Sequence, residues 1–155
     1  MTIQSMNNVQ WKPLRLAANM KQEKLVELLL AKGALIDSAD ASGATALFQA
    51  VANHSIQMAT LLLDHGASIN ALNSLGESIL HRASRYDCSI EMFEMLMKRG
   101  ANIHHKGDLG RTPLHTAAGY AKPAIVKLLL DNGADATSLD DTDDSPVVAC
   151  SAGQQ

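Results

Sequence analysis

Two histidines and one cysteine are the side chains of this 155-residue sequence that could take part in catalysis. His81 and His115 each follow a hydroxyl residue by three positions, where an imidazole could act as a general base, and Cys88 could act as a nucleophile. The histidine spacing recurs at two separate places along the chain, and at a helix start an imidazole can instead join neighbouring turns by hydrogen bonds. Cys88 falls in a loop, whereas His81 should point inward. We therefore predict no catalytic residues.

A second set of residues could bind a metal ion. His104 and His105 are adjacent, so their side chains point apart, and no carboxylate or thiol stands at ligand spacing from them. Asp140, Asp141, Asp143 and Asp144 lack the glycine and the closing glutamate of an EF-hand loop. We therefore predict no metal and no cofactor, and we expect the histidine pair to be a surface contact and the aspartates to form a solvated turn.

Composition and charge exclude several classes of protein. The chain has the length of one domain, with 46% hydrophobic but only 3% aromatic residues, so Leu, Ile, Val, Met and Ala must build its core. Its net charge is −3, and no basic run could neutralise a series of phosphates, so nucleic acid is not expected as a partner. No apolar stretch has the length of a signal peptide or a membrane helix.

The two cysteines indicate a reducing environment. Cys88 and Cys150 lie far apart and outside any C-x-x-C spacing, which predicts free thiols rather than a disulfide framework. We therefore expect a cytoplasmic or nuclear protein.

A repeat organises the chain and positions these side chains. Gly33, Gly66, Gly100 and Gly133 are separated by 33, 34 and 33 residues, a period that indicates stacked units. The extra residue lies between Arg85 and Ser89, where we expect an interhelical loop. No single unit can bury its apolar faces alone, so neighbouring copies must supply one continuous core.

The fourth copy, which begins at Gly110, shows what one unit contains. Thr112 can cap a helix that starts at Pro113, and the nearly continuous apolar run from Ile125 to Leu130 predicts a second, sandwiched helix. Gly133 can end that helix in the left-handed conformation of a C-cap. Each copy therefore reads as helix, loop, helix and extended turn.

The motifs of this copy resemble the ankyrin repeat. They are Thr112-Pro113-Leu114-His115, Ala117-Ala118, Ile125-Val126, Leu128 to Leu130 and Gly133-Ala134-Asp135. The other three copies match less fully, and the first departs most, with Lys12 in place of the capping Thr and Arg15 in place of the histidine. The resemblance implies paired antiparallel helices, hairpin-like fingers, and a concave face of fingers and first helices that binds another protein.

We accordingly predict an all-α ankyrin repeat solenoid made of stacked helix-loop-helix units with hairpin-like fingers. A single domain is expected over residues 1–155, with repeats at about 7–39, 40–72, 73–106 and 107–139 and a half repeat at 140–155. The half repeat either caps the stack or belongs to a longer array.

Positions at which the repeat motif does not require a particular residue predict where a partner binds. Asn53, Tyr86 and Tyr120 are in register near the end of the first helix, and Leu75 and Leu109 are in register in the fingers. Exposed Leu, Tyr and Arg together are enriched in interfaces. The predicted partner-binding residues are Leu75, Glu77, Arg82, Arg85, Tyr86, Leu109, Arg111 and Tyr120. The arginines favour an acidic or mixed partner surface, and we expect a monomer.

Two other functions remain open at this point. The chain could be an enzyme or small-ligand protein that uses the concave groove, with Tyr86, Tyr120 and Arg85 as polar groups, although no nucleophile, base and orienting residue share a site. It could also be a spacer in a longer array. A closed pocket with a strongly shifted titratable group would favour the enzyme, and an open groove would favour the protein-binding module.

Overall fold

The structure, a computed structural model, describes residues 13–148; Lys12 and residues 149–155 of the predicted half repeat, with Cys150, lie outside them. Eight α-helices follow one another between Pro13 and Asp131, with one short 3-10 helix at Asp108–Gly110. Residues 146–148 are again helical, and no strand occurs in the described range. The α-helices are α1 Pro13–Asn19, α2 Glu23–Ala31, α3 Ala46–Ala52, α4 Ile56–Asp64, α5 Ile79–Arg85, α6 Ile90–Lys98, α7 Pro113–Gly119 and α8 Pro123–Asp131. The predicted all-α fold of helix pairs is confirmed.

The predicted start of α7 is also confirmed. Thr112 has an extended backbone, its hydroxyl accepts a hydrogen bond from the backbone N–H of His115 at 3.4 Å, and Pro113 is the first helical residue. Two second helices begin in the same way, because the hydroxyl of Ser55 accepts from Met58 N–H at 3.3 Å and that of Ser89 accepts from Met92 N–H at 3.3 Å. Local hydroxyl caps therefore fix where these helices begin.

Gly133 ends α8 as predicted. Its φ is +89°, and the N–H of Ala134 donates to the carbonyl oxygen of Leu129 at 2.9 Å, the long bond of a Schellman motif. A Cβ atom placed on Gly133 would meet no heavy atom within 4 Å, so the glycine is required by its backbone conformation and not by crowding.

The core runs through the whole stack. The first helices pack in sequence, α1 on α3, α3 on α5 and α5 on α7, and each first helix also packs on its own second helix. Phe48 and Phe93 are both buried, with Met92 and Leu96 beside them in the same core. Buried alanines on the first helices, Ala17, Ala50, Ala83 and Ala117, allow these helices to lie close together.

The extra residue of the third copy lies in the loop between α5 and α6, as predicted. In the corresponding loops of the other copies one residue has a positive φ: Lys21 at 54°, His54 at 55° and Ala121 at 51°. The third copy instead has an extended Tyr86, whose carbonyl oxygen accepts from Cys88 N–H at 2.8 Å. The insertion therefore changes only the loop and leaves the helix register intact.

Candidate protein-binding face

The two repeat histidines join neighbouring copies. Nδ1 of His81 accepts from the N–H of Ser78 at 3.2 Å, while Nε2 donates to the carbonyl oxygen of Arg111 at 2.7 Å. His115 accepts from Thr112 N–H at 3.2 Å in the same way, and its Nε2 donates to the carbonyl oxygen of Asp144 at 3.1 Å. Both imidazoles are buried, and burial lowers the pKa of His81 below its ordinary value of 6.5. The predicted structural role of these histidines is confirmed.

Cys88 lies in the loop between α5 and α6, as predicted, and is a free thiol among the described residues. It is buried, its Sγ donates to the carbonyl oxygen of Val51 at 3.4 Å, and burial raises its pKa to about 11. A thiol with a raised pKa is largely protonated near neutral pH and is a poor nucleophile. The side chain therefore helps to hold the third copy on the second.

The expectation of a surface histidine pair is correct for His104 and wrong for His105. His104 is exposed, whereas His105 is half-buried, donates from Nε2 to the carbonyl oxygen of Gly76 at 2.8 Å and contacts the ring of His81 edge to face. The two side chains therefore point apart, as their adjacent positions predict. His105 lies inward because the finger turns that side of its backbone towards the preceding finger.

The expectation of a solvated aspartate turn is wrong for Asp140. This residue is buried, and its Oδ1 accepts from the hydroxyl of Thr142 at 2.7 Å and from the N–H of Asp144 at 3.1 Å. The hydroxyl bond and two backbone N–H bonds hold the pKa of Asp140 well below its usual range, so it is ionised. Between residues 13 and 148, no group of three or more His, Cys, Asp or Glu side chains is arranged to hold a metal ion.

The first helices present a row of side chains that the stack does not bury. Asn53, Tyr86 and Tyr120 are the C-caps of α3, α5 and α7, as their register predicts. In the second copy, Gln49 donates to Asn53 at 3.2 Å, and in the third the guanidinium carbon of Arg82 lies 4.7 Å from the centre of the Tyr86 ring. In each pair the first residue is four positions before the C-cap, on the same side of the helix.

The predicted fingertip leucines are exposed. Leu75 and Leu109 keep 53% and 51% of their surface accessible, and Leu109 has a positive φ of 57° inside the short 3-10 helix. Tyr120 is 51% exposed and Tyr86 is 38% exposed. Large apolar groups are therefore available in the fingers and at the ends of the first helices.

Three of the four charged residues predicted for this face belong to ion pairs, and the fourth, Arg82, lies over the ring of Tyr86. Glu77 is buried and forms an ion pair with Arg85. Arg111 lies 3.2 Å from the buried carboxylate of Asp140. In the first copy Arg15 likewise lies 3.0 Å from Asp40. The finger carboxylates therefore compensate these arginine charges before any partner arrives.

A groove beside the finger between α6 and α7 contains most of the predicted residues. It has a volume of about 320 Å³, and Glu77, Arg85, Leu109, Arg111 and Tyr120 line it. Since Leu109 and Tyr120 are half-exposed, the groove is open to solvent rather than a closed pocket. Leu75, Arg82 and Tyr86 do not line it, although Leu75 is on the same finger as Glu77 and Arg82 is on the same helix as Arg85.

Other groove residues were not predicted from the sequence. They are Asp108, Thr116, Gly119 and Asp144, together with the two structural histidines. Thr116 could have been found from register, because it is four residues before Tyr120 as Arg82 is four before Tyr86. The pairing of Arg85 with Glu77, eight positions apart across a finger and a helix, follows no helical or strand spacing.

Comparison with known families agrees with this architecture. A family model described as ankyrin repeats (3 copies) matches residues 14–107 and, in an overlapping placement, residues 71–140. The chain belongs to the ankyrin repeat family. Ankyrin repeats are generally protein–protein interaction modules.

Two relatives illustrate the range of this family. The chain is 47% identical over 72 residues to the B-cell lymphoma 3 protein homolog of Mus musculus, a match that covers 46% of this chain and 16% of the relative. It is 41% identical over 78 residues to the fowlpox virus (strain NVSL) ankyrin repeat protein FPV031, covering 50% of this chain and 23% of that protein. The chain thus spans only a small part of the length of either relative.

No helix between residues 13 and 148 combines the length and the apolar character needed to cross a membrane.

Proposed function

We propose that this ankyrin repeat protein is a non-catalytic binding module whose partner protein docks on the concave face made by the fingers and first helices. Its contact residues are Leu75, Arg82, Arg85, Tyr86, Leu109, Arg111 and Tyr120, with Glu77 beneath them. The observation that carries the proposal is the exposure of two leucines and two tyrosines on one side of the stack. Such groups are enriched among the few residues that dominate binding energy.

The large side chains of this face remain 38–53% exposed in the folded stack. Leu109 and Tyr120 line one side of the groove, while Leu75 and Tyr86 continue the same two rows on the preceding copy. A partner that covers both rows would remove four large side chains from water. Each buried Å² of apolar surface contributes about 25 cal/mol, before the costs of association are subtracted.

Glu77 contributes to this face through Arg85 rather than by direct contact. The carboxylate is buried and also accepts from the side-chain amide of Asn73 at 2.9 Å. Two polar partners hold Glu77 in place, and the ion pair in turn orients the guanidinium of Arg85 over the groove. We propose that the charges orient the partner while the four apolar side chains supply most of the affinity.

The absence of catalysis is part of the proposal. The buried repeat histidines use both ring nitrogens in hydrogen bonds that join copies, and Cys88 is a buried thiol with a raised pKa. Hydrolysis or transfer would require a nucleophile and a base that share one site with the substrate. Of the titratable groups that line the groove, Glu77, Arg85 and Arg111 are held in ion pairs.

We propose further that the protein acts as a monomer in the cytoplasm or the nucleus, with the repeat boundaries predicted from the sequence. The wide separation of the two cysteines in the sequence, outside any C-x-x-C spacing, supports a reducing compartment. Neither nucleic acid nor a membrane is proposed as a partner.

Affinity capture with a matched pair of variants tests the proposed face. The test variant combines Tyr86→Ala with Tyr120→Ala, and the control combines Lys98→Ala with Lys127→Ala, two exposed residues on the second helices. We expect proteins retained by the wild type to be retained by the control and lost from the tyrosine variant. Retention by the tyrosine variant, or loss from the lysine variant, would place the interface elsewhere.

A further inference from the structure

The register of Tyr86 and Tyr120 carries a more specific inference, which rests on the proposed function. Both tyrosines cap the first helix of their copy, but among the side chains of residues 13–148 a cation lies only on the ring of Tyr86, from Arg82. The residue at the equivalent place beside Tyr120 is Thr116, whose side chain is too short to cover a ring four positions later. The ring of Tyr120 therefore stays 51% exposed at the edge of the groove.

The charges near Tyr120 that are not neutralised by an ion pair within the chain are negative. The two groove arginines are each paired, Arg85 with Glu77 and Arg111 with Asp140. Asp108 and Asp144 line the same groove, and their carboxylates form no ion pair with any residue between 13 and 148. The one side-chain hydrogen bond of the Asp144 carboxylate within these residues is accepted from the hydroxyl of Thr142 at 3.3 Å.

The neighbouring fingertip adds to this negative charge. Asp141 and Asp143 are exposed, and within the described residues neither belongs to an ion pair. On the finger between α6 and α7, Lys106 donates to the carbonyl oxygen of Leu139 at 2.7 Å and does not line the groove. The field near Tyr120 therefore attracts a cation and repels an acidic or phosphate-bearing ligand.

We propose that this groove receives an arginine or lysine side chain of the partner protein, which lies on the ring of Tyr120 as Arg82 lies on Tyr86. Its charge is paired with Asp108 or Asp144, and an apolar neighbour in the partner contacts Leu109. The inference replaces the acidic or mixed partner that the sequence favoured. Two of the arginines on which that expectation depended, Arg85 and Arg111, are already paired, and the third, Arg82, does not line the groove. A cation over a tyrosine ring and beside a carboxylate gains from both contacts.

A comparison of the third and fourth copies indicates which side chain occupies the groove. In the third copy, Arg82 of this chain covers the ring of Tyr86. In the fourth copy, Thr116 occupies the register position of Arg82, and the unpaired carboxylates of Asp108 and Asp144 are nearby. The site thus has the ring, the charge and the space for a cationic side chain that this copy does not provide. In the variant Thr116→Arg, the new arginine should cover the ring of Tyr120 and so exclude the cationic side chain of the partner.

Selection from a phage-displayed library of random peptides on the purified full chain tests the inference. We expect enriched peptides to contain Arg or Lys next to a large apolar residue, and to bind more weakly as salt is raised. Synthetic versions of these peptides, measured by fluorescence anisotropy, should lose roughly five- to tenfold in affinity for the variant with Asp108→Asn and Asp144→Asn. Glu94→Gln, an exposed change on α6, is the matched control and should leave affinity unchanged.

Thr116→Arg provides a second, gain-of-side-chain test, with Thr116→Gln as its control because Gln49 occupies the same register position in the second copy. We expect Thr116→Arg to weaken the basic peptides at least as much as the aspartate variant does, and Thr116→Gln to have a much smaller effect. Circular dichroism of each variant checks that it is folded.

The outcomes distinguish this inference from the proposed function. Acidic or uncharged peptides that still require Tyr120 would overturn the inference and leave the proposed face standing. Basic peptides that bind the aspartate variant and the wild type equally would also overturn it. A library that yields no peptide dependent on Tyr86 or Tyr120 would overturn both.

Discussion

The imidazole of His81 donates from Nε2 to the carbonyl oxygen of Arg111 at 2.7 Å, across a separation of 30 residues. Its other nitrogen accepts from Ser78 N–H, so one ring joins the start of α5 to the next finger only while it is neutral. Protonation of Nδ1 would turn this acceptor into a donor that faces another N–H. Stability that depends on His81 must therefore depend on pH.

The first prediction concerns the sign of that dependence. Burial is the main reason that the pKa of His81 is lowered, and Glu77, His105 and Arg85 are the charged or titratable groups that face it. Below pH 6.5 the unfolded chain binds the proton more readily than the folded one does, so stability is complete above this pH and falls as the pH drops. The slope contributed by one such group is at most about 1.4 kcal/mol per pH unit.

Chemical denaturation of wild type and His81→Gln between neutral and mildly acidic pH measures this slope. Glutamine is a natural partner of a Ser cap and keeps an acceptor for Ser78 N–H, but it does not titrate. We expect a shallower dependence in His81→Gln and an unchanged one in His104→Gln, a control on the exposed neighbour of His105. Equal slopes in all three proteins would contradict a buried neutral His81.

The second prediction concerns the end of α8. Gly133 has a φ of +89° and open space where a Cβ would stand, so a substitution there is opposed by backbone strain alone. Gly133→Val should lower the free energy of unfolding by about 1–3 kcal/mol, because a β-branched residue resists a positive φ. Gly133→Asn should lower it less, since Asn tolerates the left-handed region. Denaturation midpoints that do not differ between the two variants would mean that backbone strain is not the cause.

The third prediction separates two adjacent histidines. His105→Ala removes a hydrogen bond to the carbonyl oxygen of Gly76 and should destabilise the protein by about 1 kcal/mol, whereas His104→Ala removes an exposed side chain and should change little. Neither variant should change the metal content of the purified protein, measured by elemental analysis. Stoichiometric zinc that is lost with either histidine would overturn this interpretation.

The fourth prediction compares the same substitution at two equivalent caps. The hydroxyl of Thr112 bonds with His115, whereas the buried hydroxyl of Thr45 has no hydrogen-bond partner among the described residues, because Phe48 occupies the histidine position. Thr112→Val should therefore destabilise by about 1–2 kcal/mol, and Thr45→Val should be neutral or stabilising by up to about 1 kcal/mol. Thermal or chemical unfolding measures both, and a loss of similar size at both sites would disprove the distinction.

The sequence predicted the elements well because they depend on short-range chemistry. Hydroxyl caps, Pro113 and the recurring glycines act within one turn of a helix, so their spacing alone indicates where helices begin and end. The exposed rows were also predictable, since register identifies Tyr86 with Tyr120 and Leu75 with Leu109. These predictions required no knowledge of contacts between copies.

Charge compensation could not be predicted in the same way. The partner of Arg111 is Asp140, 29 residues away on the next finger, and the partner of Arg85 is Glu77 at the base of the preceding one. Such pairs depend on how finger and helix are packed, which no spacing rule gives. The burial of Cys88 and His105 likewise depends on contacts distant in the sequence, with Val51 for Cys88 and with Gly76 and His81 for His105.

The last prediction ranks the two tyrosines of the proposed face. Arg82 already covers part of the Tyr86 ring and leaves it 38% exposed, while Tyr120 is 51% exposed and lines the groove between two fingers. Tyr120→Ala should therefore weaken binding of a selected peptide or captured partner by more than about 1 kcal/mol, and Tyr86→Ala should weaken it less. Titration of the same ligand into each variant measures the difference.

The control for this ranking is the double variant Lys98→Ala with Lys127→Ala, which changes exposed residues of α6 and α8 and should leave both affinity and stability unchanged. Each tyrosine variant should unfold at nearly the wild-type denaturant concentration, because the part of each ring that faces solvent contributes little to the folded stack. A loss of stability as large as the loss of affinity would mean that the tyrosines hold the repeats together. A larger effect from Tyr86→Ala than from Tyr120→Ala would move the centre of the interface to the third copy, beside Arg82.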